Sequence, residues 1–582
     1  LDQLKQRAYG HYGAFLASGG DADSGKTVAS SAPTAAASSA VELVGGGAGQ
    51  RQWLHKEVFR RIRSRSLAKA RKAVKPVDPD VYQAFVLDRQ GVGPVGGERY
   101  EGPDGLMRVI EQLEGIALPI RTWDCSVFPS RVRDYNPAML DGLLADGEVV
   151  WVGSATGDGK AGESGQIAFH PADSLLVGAD PAQPRSGSAG PHGVTGGNGA
   201  SKAVAAASGE AEASSADGAM TIPEAISAVL RPGGAYHASQ LAAKTRELWQ
   251  SAAASVDLQT GEITVPAWSD GQFEEALWSL VWQGLVTNSS LAPLRALAAN
   301  AGGRTVRAPA RASRRRVRVK PAVPATMGGL WSSVGAVAGA AEGGADDAGD
   351  GFGATAGSGS AGGVGAGVGG GEAPSFARDH AVEGYALAQV DSLLDRYGVI
   401  AQPLVDKERI PGGFSGLYPV LRRMEESGVL VRGMFVRGFG AAQFAGRDTV
   451  DALRDGERWH NRSNVALDAT DPASLVGASV PWPRGEGRPA RRAGTMVVLA
   501  QGRPVLYAAP KTHHLIAFDR SEGVLRPACA ELAFALLRRS DPGGGATFAD
   551  LNGEPLTMRT DTTRMLHVAG FTPCPQGMKL YR

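Results

Sequence analysis

The sequence predicts a multidomain α+β chain: tandem winged-helix modules, then a small β-barrel-like or α+β module at the C-terminus, with disordered Gly/Ala/Ser-rich linkers between them. Three observations carry that prediction. At 582 residues the chain exceeds what one hydrophobic core fills, so several small modules are expected. An amphipathic helix, a glycine and a pair of short strands recur along it, the mark of a repeated supersecondary unit. Stretches almost free of large apolar residues, above all 335–371, bury too little surface to offset chain entropy.

The boundaries follow from that alternation. Residues 17–50 read as a disordered insertion, 173–218 as a linker and 298–380 as a linker that is first basic and then Gly-rich. The folded candidates are 51–172, 219–297, 381–462 and 463–582. In the first, a basic helix is expected over Gln52–Val74 and a second over Asp104–Glu114. A third, Asn136–Asp146, sets Met139, Leu140, Leu143 and Leu144 on one face, with Gly147 to end it. Two strands follow, Glu148–Gly153 and Gln166–His170, so the order is that of a winged helix.

The second module has helices at Ile222–Leu230, His237–Trp249 and Gly271–Gln283, then a strand at Leu285–Asn288. In the third, Phe414–Ser427 is amphipathic through Leu417, Val420, Leu421 and Met424; Gly428 ends it. Val429–Gly433 and Met434–Gly438 are expected to form its hairpin. The last module offers strands at Thr495–Ala500, Arg503–Tyr507 and His514–Asp519, with a tight turn at Gln501–Gly502. Helices at Ala528–Arg538 and Asp561–Ala569 complete it.

A net charge of +1 says nothing about partners, but its distribution does. Residues 56–75 hold nine Lys or Arg against one Glu, including Arg60, Arg61, Arg63, Arg65 and Lys69. Residues 304–320 hold eight with no acid. Such density is the footprint of phosphate binding. Cys125, Cys529 and Cys574 have no metal-ligand spacing, which excludes a zinc site and a disulfide framework and fits a reducing cytoplasm. No metal is expected, and no apolar run suffices for a membrane span. A start at Leu1 suggests a piece of a longer protein.

Several long runs carry a family resemblance. FEEALWSLVWQGLVTNSSLAPLR from Phe273 to Arg295, GGFSGLYPVLR from Gly412 and RGMFVRGFGAAQFA from Arg432 resemble segments of Lhr-type (large helicase-related) superfamily 2 DNA helicases. RRIRSRSL from Arg60, RVRDY from Arg131 and GFTPCPQGM from Gly570 match in the same order. The resemblance implies a DNA-repair helicase with 3′-to-5′ polarity. This chain would be its C-terminal extension of winged helices and a β-barrel-like module, with 1–16 the remnant of a further winged helix. It also implies a nucleoid-associated cytoplasmic protein whose partners are DNA (single-stranded, forked or RNA–DNA hybrid) and its own N-terminal helicase core, with a homo-oligomer left open. ATP and Mg²⁺ would serve motor domains that this chain lacks, and no cofactor is expected here.

A literal phosphate-loop string, Gly20–Thr27, lacks the strand before it and the helix after it, so no ATPase activity is expected. In a winged helix the last helix and the wing meet DNA, which nominates Arg422 and Arg423 with Arg432 and Arg437. Arg131 and Arg133 are nominated with them. Gln112 and Glu114 resemble the QxQ or QxD element of AlkZ-type winged-helix DNA glycosylases, with Glu at the second place. There the pair would hold and deprotonate a water beside C1′ of a flipped nucleotide. Three functions stay open: a DNA-binding extension of a helicase, a DNA glycosylase, and an oligomerisation scaffold.

Overall fold

A computed structural model describes residues 40–44, 51–55, 61, 65, 75–93, 100–155, 165–177, 220–253, 255–256, 263–264, 266–301, 324–335, 375–455, 464–485, 487–538, 545–557 and 560–581. Contacts divide the chain into two units, one of residues 106–123 and 136–385, the other of 1–105, 124–135 and 386–582. The string Gly20–Thr27, the remnant 1–16 and the basic run 304–320 lie outside the described residues.

In the 106–385 unit, Asn136 caps the helix Pro137–Ala145 by accepting from the Ala138 N–H at 3.0 Å, and Gly147 follows it with φ +77°. The expected hairpin follows, with Val149–Ser154 antiparallel to Gln166–Pro171 and Val150 opposite His170. A second group has helices Ile222–Leu230, Ala238–Ala253 and Asp270–Trp282. Thr221 and Glu224 close the first of these with reciprocal side-chain bonds, and those bonds hold the Glu224 carboxyl below its usual range. Its sheet runs Val286–Asn288, Leu330–Ser333, Tyr236–His237. Leu330–Ser333 falls in the stretch read as linker. Trp331, fully buried and edge-on to Trp278 at 5.6 Å, explains why this segment packs.

In the other unit, helices Ser375–Tyr397, Gln402–Glu408 and Gly413–Ser427 surround a small sheet in the order Val399–Ile400, Gln443–Ala445, Val431–Gly433. The helix Pro79–Arg89, absent from the sequence reading, adds Tyr82, Phe85 and Val86 to the same core. The hairpin expected from Val429–Gly433 and Met434–Gly438 does not form. Val431–Gly433 pairs instead with Gln443–Ala445. The Gln443 side chain takes the place of a partner strand, accepting from the N–H groups of Phe435 and Val436 at 2.9 and 2.8 Å. The helix expected from Gln52 is also corrected at its start: Arg51–His55 is a strand antiparallel to Ala40–Val44, inside what was read as insertion.

The 463–582 region is α+β, and the barrel expectation is corrected. Six strands form an open sheet in the order Val465–Asp468, Met496–Ala500, Arg503–Ala509, His514–Ala517, Asp550–Leu551, Glu554–Pro555. Closure needs an unbroken ladder of long, tilted strands. The last two strands have two residues each, and the sheet's edge strands do not pair. Helix Glu522–Arg538 covers the face that carries Met496, Val498 and Leu506. Val497, Leu499 and Leu467 fill a second core on the opposite face.

Candidate functional site

Leu106, Val109, Ile110 and Leu113, at i, i+3, i+4 and i+7, are all buried and seat the helix Gly102–Gln112. The helix stops at Gln112, two residues before the expected end, because Gly115 adopts φ +75°, the left-handed conformation of a helix stop. Glu114 therefore stands in the turn. The Gly115 N–H donates to the Phe169 carbonyl at 3.1 Å, and Leu118 and Ile167 exchange backbone bonds of 3.0 and 2.9 Å. The turn is thereby registered on the strand Gln166–Pro171. Trp123 reinforces it, donating its indole N–H to the Ile167 carbonyl at 3.0 Å and meeting Phe169 edge-on at 5.3 Å.

That register brings His170 to Glu114. The imidazole Nδ1 lies 2.9 Å from Glu114 Oε1, with the two side chains 8% and 10% exposed. An ionised carboxylate only accepts, so Nδ1 carries the hydrogen between them. Helix carbonyls point toward this end and disfavour negative charge, which makes a donor from outside the helix the natural counterweight. Gln112, the other nominated residue, is buried on the last helical turn. Residues two apart on a helix face directions about 200° apart, and the turn after Gln112 frees Glu114 from that constraint. A carboxylate fixed in this way can take a proton from water or face a developing positive charge.

The sequence reading did not single out His170. Fifty-six positions separate it from Glu114, and the sequence marks it only as the end of an apolar strand.

The nominated basic residues have different fates. Arg131 is a correction: it is fully buried and cannot meet a phosphate. Its guanidinium donates to both oxygens of Asp471 at 2.8 and 3.1 Å, to Gln90 Oε1 at 2.9 Å and to the Val127 carbonyl at 3.0 Å. Arg133 is exposed and paired with Glu101. Arg422 is exposed beside Glu426, and Arg423 next to it is exposed too. Arg437 is exposed and held by Asp78 at 2.6 Å. Arg432 donates to the Tyr418 hydroxyl at 3.0 Å, with its guanidinium 5.8 Å from the Tyr418 and Phe444 ring centres. Arg61 and Arg65 are exposed and helical, while Arg60, Arg63 and Lys69 lie outside the described residues. No cluster of three His, Cys, Asp or Glu suited to a metal occurs among the described residues. Nor is any described helix long and apolar enough to cross a membrane.

Known proteins resemble this sequence. Two family models, both described as large helicase-related protein, winged-helix domain, match residues 77–172 and 379–465. A protein of Escherichia coli (strain K12) named Lhr helicase/uracil glycosylase is 33% identical over 553 residues, which are 90% of this chain and 30% of that protein. One from Mycolicibacterium smegmatis, named Lhr helicase/probable uracil glycosylase, is 34% identical over 83% of this chain and 26% of its own length. The chain thus spans under a third of these relatives. Among solved structures, Streptomyces sahachiroi DNA glycosylase AlkZ aligns over 79% of this chain and 97% of its own, with a TM-score of 0.37 and 11% identity.

Proposed function

Because the chain belongs to the large helicase-related family, we propose that it is the DNA-binding C-terminal region of a repair helicase and that it removes a base, uracil first, from that DNA. The observation that carries the second part is the Glu114 carboxylate, nine-tenths buried and held 2.9 Å from His170 at a helix end. The names of the two relatives supply the choice of uracil. DNA is retained on the exposed basic positions: Arg61 and Arg65, with Arg422, Arg423 and Arg437 on the third winged helix. Single-stranded or forked DNA suits this role, since a target base must leave the stack to reach a side chain in a turn. In this reading a 3′-to-5′ motor, with its ATP and Mg²⁺, would be supplied by a part of the protein outside this chain.

In the reaction, the bond between C1′ and the base breaks and the electron pair departs with the uracil anion. Glu114 faces the positive charge that develops on the sugar. A water oxygen then bonds to C1′, and its proton passes to Glu114. The uracil anion takes up a proton from solvent and Glu114 releases the one it received, so the products are free uracil and an abasic site, with no nucleotide cofactor consumed.

The test is release of uracil from a single-stranded oligonucleotide, read by alkaline cleavage of the abasic product. Glu114→Gln keeps the shape and removes the base, so the rate should fall by about 10²- to 10⁴-fold. DNA affinity should persist, because phosphate contacts carry it. No release by the wild-type chain, or equal release by Glu114→Gln, defeats the proposal.

A further inference from the structure

We propose that His170 is a positioning residue for Glu114, a role that rests on the base-removal reading above. Nδ1 lies 2.9 Å from Oε1 with both side chains about nine-tenths buried, so little water competes for the contact. The two partners come from rigid, separately anchored pieces. His170 sits on a strand paired residue for residue with Val149–Ser154, and Glu114 sits in a turn bonded to that strand through Gly115 and Leu118. Gly115 supplies the φ of +75° that turns Glu114 toward the imidazole. The arrangement is that of a third group orienting a catalytic base.

His170 does two things for the carboxylate. It fixes one oxygen, which sets the plane of the group and the direction of the other. It also offers an N–H to the charged form at a helix end where backbone carbonyls oppose negative charge. Neither requires His170 to touch DNA.

The experiment compares His170→Phe, which keeps a planar ring of similar size and removes the donor, with His170→Asn, whose amide N–H stands close to where Nδ1 was. Single-turnover uracil release should fall by about 10- to 100-fold in His170→Phe, the usual cost of an orienting hydrogen bond next to a reacting group. The dissociation constant for the same oligonucleotide should not change. His170→Asn should recover most of the rate, which a loss of packing would not allow. The double variant His170→Phe/Glu114→Gln should be no slower than Glu114→Gln alone, because His170 acts only through that carboxylate. A second readout needs no activity: the ¹⁵N shift of Nδ1 of His170 should move in Glu114→Gln.

Wild-type release by His170→Phe, a multiplicative loss in the double variant, or an unmoved ¹⁵N shift overturns the inference and leaves base removal standing. If the wild-type chain releases nothing while the ¹⁵N shift does move, base removal is what fails, and the positioning role falls with it.

Discussion

Two buried carboxyl contacts, one in each unit, differ in how completely the chain encloses them. Arg131 and Asp471 are both fully buried. The guanidinium finds five acceptors, and Asp471 Oδ1 also accepts the Ala473 N–H at 2.8 Å. Glu114 and His170 keep 10% and 8% of their side-chain surface. The difference is enclosure at depth against a fixed contact that keeps some exposure. A charge enclosed by its own chain cannot meet a ligand, whereas the Glu114 carboxyl retains a tenth of its surface.

The strongest way to break this comparison is to remove one member of the fully buried pair. Asp471→Ala leaves the Arg131 guanidinium in the interior without its counter-charge, and losing one partner of a buried pair costs about 3–5 kcal/mol. Hydrogen exchange of the 126–135 amides reports it, since the Ser130, Arg131 and Val132 N–H groups are bonded within that turn. Arg131→Lys keeps the charge and loses the two-pronged geometry, so it should also destabilise. If Arg131→Lys instead weakened DNA binding in a fully stable protein, Arg131 would be a phosphate ligand after all.

The comparison also marks where sequence reading reaches its limit. The hairpin of residues 149–171, the Phe414–Ser427 helix and the Gln501–Gly502 turn were legible because each is encoded locally: alternating apolar residues, an i, i+3, i+4 stripe, a residue pair suited to positive φ. The roles of Arg131 and Gln443 were not. Each depends on a side chain satisfying groups that only the folded chain brings near, 340 residues away for Asp471. The contact between Glu114 and His170 was not legible either, for the same reason. Gly115 lies between these cases, a glycine whose positive φ makes the turn that delivers Glu114 to His170.

Gly115→Ala is therefore the intermediate test. A Cβ meets only ordinary contact at 3.7 Å, so the penalty is conformational, about 1–2 kcal/mol for holding an L-residue in the left-handed region. The turn should relax and Glu114 should drift from His170. Uracil release should drop more than DNA affinity does, with a small loss in thermal midpoint. An unchanged rate would mean that the Glu114 register is set by Leu118 and Trp123 alone.

The smallest effect is expected from a carboxylate that lacks what Glu114 has. Glu531, half-buried on the helix Glu522–Arg538, has no imidazole, and desolvation raises its carboxyl above the usual range. A backbone bond from Ala466 and the charge of Arg538 oppose that shift only in part. The folded chain thus holds the Glu531 proton more tightly than the unfolded chain does. Its contribution is fully present below the ordinary glutamate value near pH 4 and is lost as pH rises through the higher folded value. At neutral pH the buried charge is a mild liability, so Glu531→Gln should stabilise the protein by less than about 1 kcal/mol, discounted for its partial exposure. The gain should vanish about one pH unit below the ordinary glutamate value, where glutamate is neutral in the folded and the unfolded chain alike. Urea titrations of the wild type and Glu531→Gln at about pH 3 and pH 7 decide it: an equal gain at both would mean that ionisation of the carboxyl is not its cause.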